Sequence, residues 1–350
     1  MKFAAFNVLY LLRTFYTNNI KNDLLVLLKI SDLVCTKVRR TKDQIRDIMI
    51  SHIKLNEIKK LSDSVTLKTT DQGFEFIIID HQNFDAAFTL HGGHLIHFQR
   101  KHQRPLIYLS KTAAFNNSKA IRGGVPICWP WFGKPNQEFA EPLPSHGFAR
   151  ISKWKVTCIN EDNQGVNIDF SLASSEASKQ LWKHDFQLTL KASLSDFIEL
   201  SLVTENTGSS SFTYSGALHT YLHIANTEQA NIEGLAEDYT DSLDAGKSKK
   251  SPTLLTINAE LDAIHQVNQG DLMVNDGGNQ RKIMVTNSGN DSVVVWNPWI
   301  NKAASFADMP DDGYQTMLCI ESAITGQNGV LVEAGQAHTL STTIKETAMK

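Results

Sequence analysis

The stretch GALHTYLHI, residues 216–224, holds three side chains that could move a proton or bind a metal: His219, Tyr221 and His223. In a β-strand they share one face, while Leu218, Thr220, Leu222 and Ile224 share the other. At about 3.3 Å per residue the two imidazoles stand about 13 Å apart, too far for one ion to join both. Three readings of His219 therefore stay open: a proton-transfer group, a metal ligand completed from another strand, or a half-buried histidine with no chemistry. A second stretch, TMLCIESA (316–323), alternates Met317, Cys319 and Glu321 against Leu318, Ile320 and Ser322. A carboxylate at the end of so apolar a strand is costly to bury without a partner. It either turns to solvent or acts as a base whose proton affinity its surroundings have raised.

Two further stretches carry cations beside glycine and aromatic residues. In AIRGGVPICWPWFG (120–133), Arg122 precedes two glycines and a Pro- and Trp-rich run too irregular for a central strand. The paired glycines would let backbone come close to a ligand, and the aromatic rings offer flat faces suited to a sugar. The alternative is a loop packed under its own aromatics. In LPSHGFAR (143–150), His146 and Arg150 flank a Gly-Phe pair. Neither stretch is a phosphate loop, because GxxxxGK[ST] and GxGxxG are both absent.

The elements that must position these groups read as β. Short β-branched and aromatic runs cover 73–80, 85–99, 154–159, 165–172, 186–194, 197–206, 211–224, 292–299 and 314–322. Turn triplets such as Asn-Gln-Gly, Asn-Thr-Gly and Asp-Asp-Gly punctuate them. The best short helix candidate is SSEASKQLW (174–182). Many strands without intervening helices predict one all-β sandwich or barrel and argue against a parallel α/β fold.

A hydrophobic fraction of 41% and a charged fraction of 20% are those of a globular chain with a substantial core. The net charge of −3 gives no reason to expect a nucleic-acid partner. Cys35, Cys128, Cys158 and Cys319 lie far apart without CxxC spacing, which suits a reducing compartment and a cytoplasmic location. Residues 1–48 differ from the rest, with nine Lys/Arg against four Asp, so residues 49–350 carry −8. No run reaches the roughly 18 apolar residues of a membrane span, and AAFNVLYLL lacks the flanks of a signal peptide. The expectation is a basic N-terminal extension over 1–48, helical or disordered, or else an upstream misassigned start, followed by one domain over 49–350.

Six motifs in chain order, AIRGGVPICWPWFG, HGFAR, ALHTYL, WNPW, DMPDDGY and CIESA, resemble the bacterial D-hexose-6-phosphate mutarotases (glucose-6-phosphate 1-epimerases), relatives of the aldose 1-epimerases. The resemblance spans about residues 50–345 and leaves the first 48 without a counterpart. It implies a large antiparallel β-supersandwich with a sugar cleft on one face. By motif, His219 becomes the general acid on the ring oxygen and Glu321 the general base on the anomeric hydroxyl. Arg122, His146 and Arg150 line the substrate site, and the looser AELDAIHQ motif puts a sugar-contacting aspartate on Asp262. His223 is not a required position. The reaction needs one acid and one base poised near neutral pH, and neither cofactor nor metal. A phosphosugar bound by a domain of charge −8 needs a local cationic pocket, for which Arg122 and Arg150 are the candidates, with Lys134 or Lys153 as possible contributors. The expected partner is a small phosphosugar, with no membrane or nucleic acid, and the expected state is a monomer. A free-aldose 1-epimerase and a catalytically silent sugar-binding sandwich are the competing readings.

Overall fold

The computed structural model describes residues 53–135, 143–266, 270–326 and 329–349. The expected extension over residues 1–48 lies outside them. Among the described residues the strand ladders are all antiparallel and form three main sheets. A five-stranded meander runs in chain order from Asn56–Lys60 to His94–Arg100. A nine-stranded back sheet is built around Phe186–Leu194, Phe197–Asn206 and Ala337–Ala348. The third, here called the floor sheet, positions the chemistry. Its order is Lys247–Lys250, Asp238–Asp241, Leu261–Gln266, Ser292–Asn297, Met317–Ile324, Gly216–Leu218, Ile127–Cys128, and Tyr221–His223 also pairs with Met317–Ile324.

Period-two patterning explains why the floor sheet faces two ways. Leu218, Leu222, Leu318 and Ile320 point inward and join a continuous apolar core with Leu200, Leu202, Ile283, Leu340 and Ile344 of the back sheet. The Ser322 hydroxyl crosses between the layers to donate to the Ser341 carbonyl at 3.0 Å. A truncation such as Ile320→Ala would cost about 2–5 kcal/mol through lost burial and the cavity left behind. The opposite face carries His219, Tyr221, Cys319 and Glu321.

Residues 174–182 contain the expected helix, Glu176–Leu181. It is closed by a capping box in which Ser175 accepts from the Ser178 amide and Ser178 accepts from the Ser175 amide. The run 292–299 departs from expectation. Its strand stops at Asn297, and Trp299–Ala304 forms a second helix. Asn297 explains the stop: its Oδ1 accepts from the Trp299 amide at 2.9 Å, a turn that Pro298 reinforces. Its Nδ2 donates to the carbonyls of Tyr314 and Met317, clamping this corner to the start of the glutamate strand. Among the described residues no helix is long and apolar enough to cross a membrane.

Candidate active site

His219 and Glu321 meet because of strand register. Leu218 pairs with Ser322 and Tyr221 with Cys319, so the register is the same on either side of the gap and sets His219 opposite Glu321. The neighbouring pair is the hydrogen-bonded one, with Ile320 N–H donating to Thr220 O at 3.1 Å. His219 and Glu321 therefore occupy a non-hydrogen-bonded position, where facing Cα atoms are only about 4.5 Å apart. The His219 amide turns away to Pro126 O at 3.0 Å. The side chains end with Nε2 of His219 3.3 Å from Oε1 of Glu321. Glu321 lies inside its strand and is 1% exposed, so it is not a strand-end carboxylate turned to water.

Burial dominates the protonation of both groups. It holds the His219 imidazole well below its ordinary value, reinforced by the neighbouring His146, Arg150 and Arg122. It pushes the Glu321 carboxyl well above the usual carboxylate range, helped by the negative charge of Asp262 and opposed by Arg150. Both shifts favour the uncharged forms, a neutral imidazole beside a protonated carboxyl. Oε2 of Glu321 and Nδ1 of His219 have no hydrogen-bond partner among the described residues.

The pair lies in a cleft of about 670 Å3 that also takes in Arg122, His146, Arg150 and Asp262, so every site residue expected from sequence lines one space. Arg122 is fixed on three sides. Its Nε donates to Asp308 Oδ1 at 3.1 Å, Nη1 reaches the Tyr221 hydroxyl at 3.4 Å, and its Cζ sits 4.2 Å from the Phe306 ring centroid. Arg150, on the short 3-10 turn Ala149–Ile151, donates from Nη2 to Ser145 O at 2.8 Å. His146 has a φ of 61°, held by its amide donating to Gly133 O at 2.6 Å. Its Nδ1 accepts from the Gly133 amide at 3.2 Å, which leaves the ring proton on Nε2. Burial and the two arginines push its pKa down to about 3, so His146 is a neutral donor. Gly147 is required beside it, because a Cβ there would lie 1.9 Å from Trp129 O. Asp262 pairs across the sheet with Trp296, which pairs in turn with Cys319, one row along from Glu321. Its carboxyl is also raised, chiefly by burial.

Several expectations change. Gly123 and Gly124 do admit close approach, but to protein: added Cβ atoms would meet Tyr108 O at 2.6 Å and His94 Nε2 at 2.4 Å. Trp129 and Trp131 are core residues, and the aromatic walls come from Phe132, Tyr221, Trp296 and Phe306. Lys153 pairs with Glu75, and neither it nor Lys134 lines the cleft. His223 lies outside it too, with its amide on Leu106 O and a pKa pushed down to about 4 by burial. Tyr221 had a sequence signal, two residues from His219 on the same face, and its ring stacks on the imidazole at 4.8 Å and 12°. Trp296 and Asp308 sit in WNPW and DMPDDGY, motifs that gave no role until the cleft assembled them. One donor set suits a metal: a nitrogen of His219, the sulfur of Cys319 and a carboxylate oxygen of Glu321 lie within 4.8 Å of one another.

Comparison with known proteins finds relatives over most of the described chain. The aldose 1-epimerase family profile matches residues 75–345. An Escherichia coli K12 protein provisionally named glucose-6-phosphate 1-epimerase is 33% identical over 282 residues, covering 80% of this chain and 93% of its own. A Salmonella typhimurium protein with the same provisional name is 33% identical over 266 residues, 76% of this chain and 88% of its own. The crystal structure of the provisionally assigned mutarotase YeaD from Salmonella typhimurium superposes with a TM-score of 0.78 at 31% identity. That match covers 84% of this chain and 97% of YeaD.

Proposed function

The chain belongs to the aldose 1-epimerase family and is an isomerase, and from that premise we propose a hexose-6-phosphate mutarotase in which His219 and Glu321 transfer the protons. The observation that carries the proposal is the 3.3 Å approach of Nε2 to Oε1 at the floor of a cleft holding two arginines. The ring oxygen and the anomeric oxygen of a sugar are bonded to the same carbon. An acid and a base in contact can therefore serve both at once.

The proton inventory balances. Ring opening starts from imidazolium and carboxylate. Glu321 takes the anomeric hydroxyl proton, His219 gives one to the ring oxygen, and the bond between C1 and the ring oxygen breaks to leave an open-chain aldehyde. The pair now holds neutral imidazole and protonated carboxyl, the same distribution as in the empty cleft. Rotation about C1–C2 presents the other aldehyde face, and closure reverses both transfers. Stabilising the ion-pair form against the closed sugar is thus the main task of the surroundings. Arg150 favours the Glu321 carboxylate directly. A bound phosphate dianion would offset the positive field of Arg122 and Arg150, which adds to the larger effect of burial in disfavouring the His219 imidazolium. Phosphate then contributes to proton transfer as well as to affinity. His146 Nε2–H and Asp262 supply a donor and an acceptor for sugar hydroxyls.

Guanidinium groups match phosphate geometry bidentately, and among the described residues Arg150 donates from Nη2 to Ser145 O, with further N–H groups to offer a ligand. The names of the relatives point to the same substrate class. The working unit in this reading is one cytoplasmic chain, residues 49–350, with residues 1–48 an appendage. The test follows anomer exchange of glucose 6-phosphate and glucose side by side by NMR, with the spontaneous rate subtracted. Preferential acceleration of the phosphosugar is expected; equal acceleration would remove the phosphate assignment.

A further inference from the structure

The proton-transfer chemistry uses no thiol, yet one stands beside the pair. Cys319 precedes Glu321 by two residues on the same strand face and pairs across the sheet with Tyr221, whose ring stacks on His219. All three groups, His219, Cys319 and Glu321, are buried, and their ligand atoms lie within 4.8 Å of one another. Independently, Oε2 of Glu321 and Nδ1 of His219 are buried without a partner among the described residues. Both residues border the cleft, whose open side leaves room for a water.

We infer that His219, Cys319 and Glu321 form a three-ligand site for a thiophilic divalent cation, with Zn2+ the best fit, and that its occupation switches off the proton-transfer pair. Thiolate, imidazole and carboxylate are the donors Zn2+ takes, and three protein ligands plus one open position is the arrangement of an accessible zinc site. Tetrahedral zinc with bonds of about 2.0–2.3 Å sets its donors about 3.3–3.7 Å apart. The His219–Glu321 separation of 3.3 Å already matches, and the sulfur must close by about an ångström, within reach of a χ1 adjustment. Magnesium and calcium are excluded by the soft donors, since both require oxygen shells.

The charges also favour a dication. A bound Zn2+ neutralises the thiolate and carboxylate together, so ion and ligands form a buried group of no net charge. Thiolate, imidazole and carboxylate bind a metal only when deprotonated, so affinity rises with pH. An imidazole held by the metal has no proton for a ring oxygen, and a coordinated carboxylate is a weak base.

The inhibitory half of this inference rests on the catalytic reading of the pair, whereas the ligand set can be read without it. Full-length metal-free protein is titrated with Co2+ and, separately, with Zn2+. Co2+ should produce a near-ultraviolet thiolate-to-metal absorption band in the wild type that is missing in Cys319→Ser and Cys319→Ala. Micromolar free Zn2+ should lower glucose 6-phosphate anomer exchange at least tenfold, with recovery on adding EDTA and no effect of Mg2+ at the same concentration. Cys319→Ser should keep the metal-free rate within twofold and need at least tenfold more Zn2+ for the same inhibition. Absence of the cobalt band, or equal zinc sensitivity of the Cys319 variants, overturns the site. Metal-free protein that fails to accelerate exchange would instead sink the catalytic reading, and the cobalt band would still decide the ligand set.

Discussion

Replacing Glu321 by glutamine should separate chemistry from folding. The amide keeps the volume of the carboxyl, so no cavity opens in the strand Met317–Ile324. Its NH2 can donate to His219 Nε2 across the present 3.3 Å gap. The variant also removes a buried ionisable group whose charged form the site disfavours. The thermal midpoint should therefore stay level or rise. Turnover should not survive, because an amide cannot accept the anomeric proton. A positioned proton-transfer group typically contributes about 100- to 10,000-fold, or about 2.7–5.4 kcal/mol of barrier at 1.36 kcal/mol per decade. Glu321→Asp tests the geometry separately. One methylene fewer withdraws the carboxylate by about 1.5 Å, stretching the contact beyond hydrogen-bond length and giving an intermediate loss. NMR exchange of the two glucose 6-phosphate anomers reads all three proteins. A glutamine variant within threefold of wild type would refute Glu321 as base, and a collapse of its melting transition would make Glu321 a structural residue.

The one-proton pair predicts a bell-shaped pH dependence of kcat/KM. The acid limb should fall below the ordinary histidine value, where a lowered His219 gains a second proton, and the alkaline limb above the ordinary carboxylate value, where a raised Glu321 loses the last one; an acid limb at 6.5 or higher contradicts this. Arg122→Ala and Arg150→Ala should each raise KM for glucose 6-phosphate about 10- to 150-fold, from about 1.5–3 kcal/mol per charge-assisted hydrogen bond, and leave free glucose little changed; equal loss on both sugars counts against a phosphate pocket. Acid stability should depend on His97, which is fully buried, has neither ring nitrogen partnered, and has a pKa pushed down to about 4 by burial. Its folded value lies below its unfolded one, so the stability held above about pH 6.5 is lost as pH falls towards 4. His97→Leu should move the acid-unfolding midpoint lower, and an unmoved midpoint by circular dichroism excludes His97 as the proton sink. Removing residues 1–48 should leave exchange activity unchanged; an inactive or insoluble truncation contradicts the extension as an appendage.

Strands buried on one face were legible where the alternating pattern is clean. Phe186–Leu194 and Phe197–Asn206 coincide with their predicted runs: every second residue is apolar and buried in the first, and Ile198, Leu200 and Leu202 keep the same alternation in the second. Ala337–Ala348, the longest strand described, escaped notice for an equally physical reason. Its inward positions are Leu340, Thr342, Ile344 and Glu346, half of them polar, so the alternation is hidden. Glu346 is buried there because Arg281 Nη1 donates to it at 2.7 Å, a long-range partner invisible to local periodicity. The short strands between Ala230 and Thr256 are three or four residues long and largely exposed, which leaves too little apolar signal to read.

The candidate site shows the same division between what a strand dictates and what only pairing can. Alternation alone puts His219 and Tyr221 on one face, and Cys319 and Glu321 on one face. That the two faces are the same face, and that His219 stands opposite Glu321, depends on Leu218 pairing with Ser322. A slip of one residue in that register would turn Glu321 into the core and bring Ile320 and Ser322 to the cleft. The apolar inward face forbids that slip, since it would bury a carboxylate and expose leucines on the same strands. The hydrophobic core thus fixes the contact between His219 and Glu321. Conservative core changes at Leu218, Leu222 or Ile320 should accordingly lower stability while sparing the per-molecule rate of the folded fraction. Polar substitutions there loosen the register itself and so should reduce both.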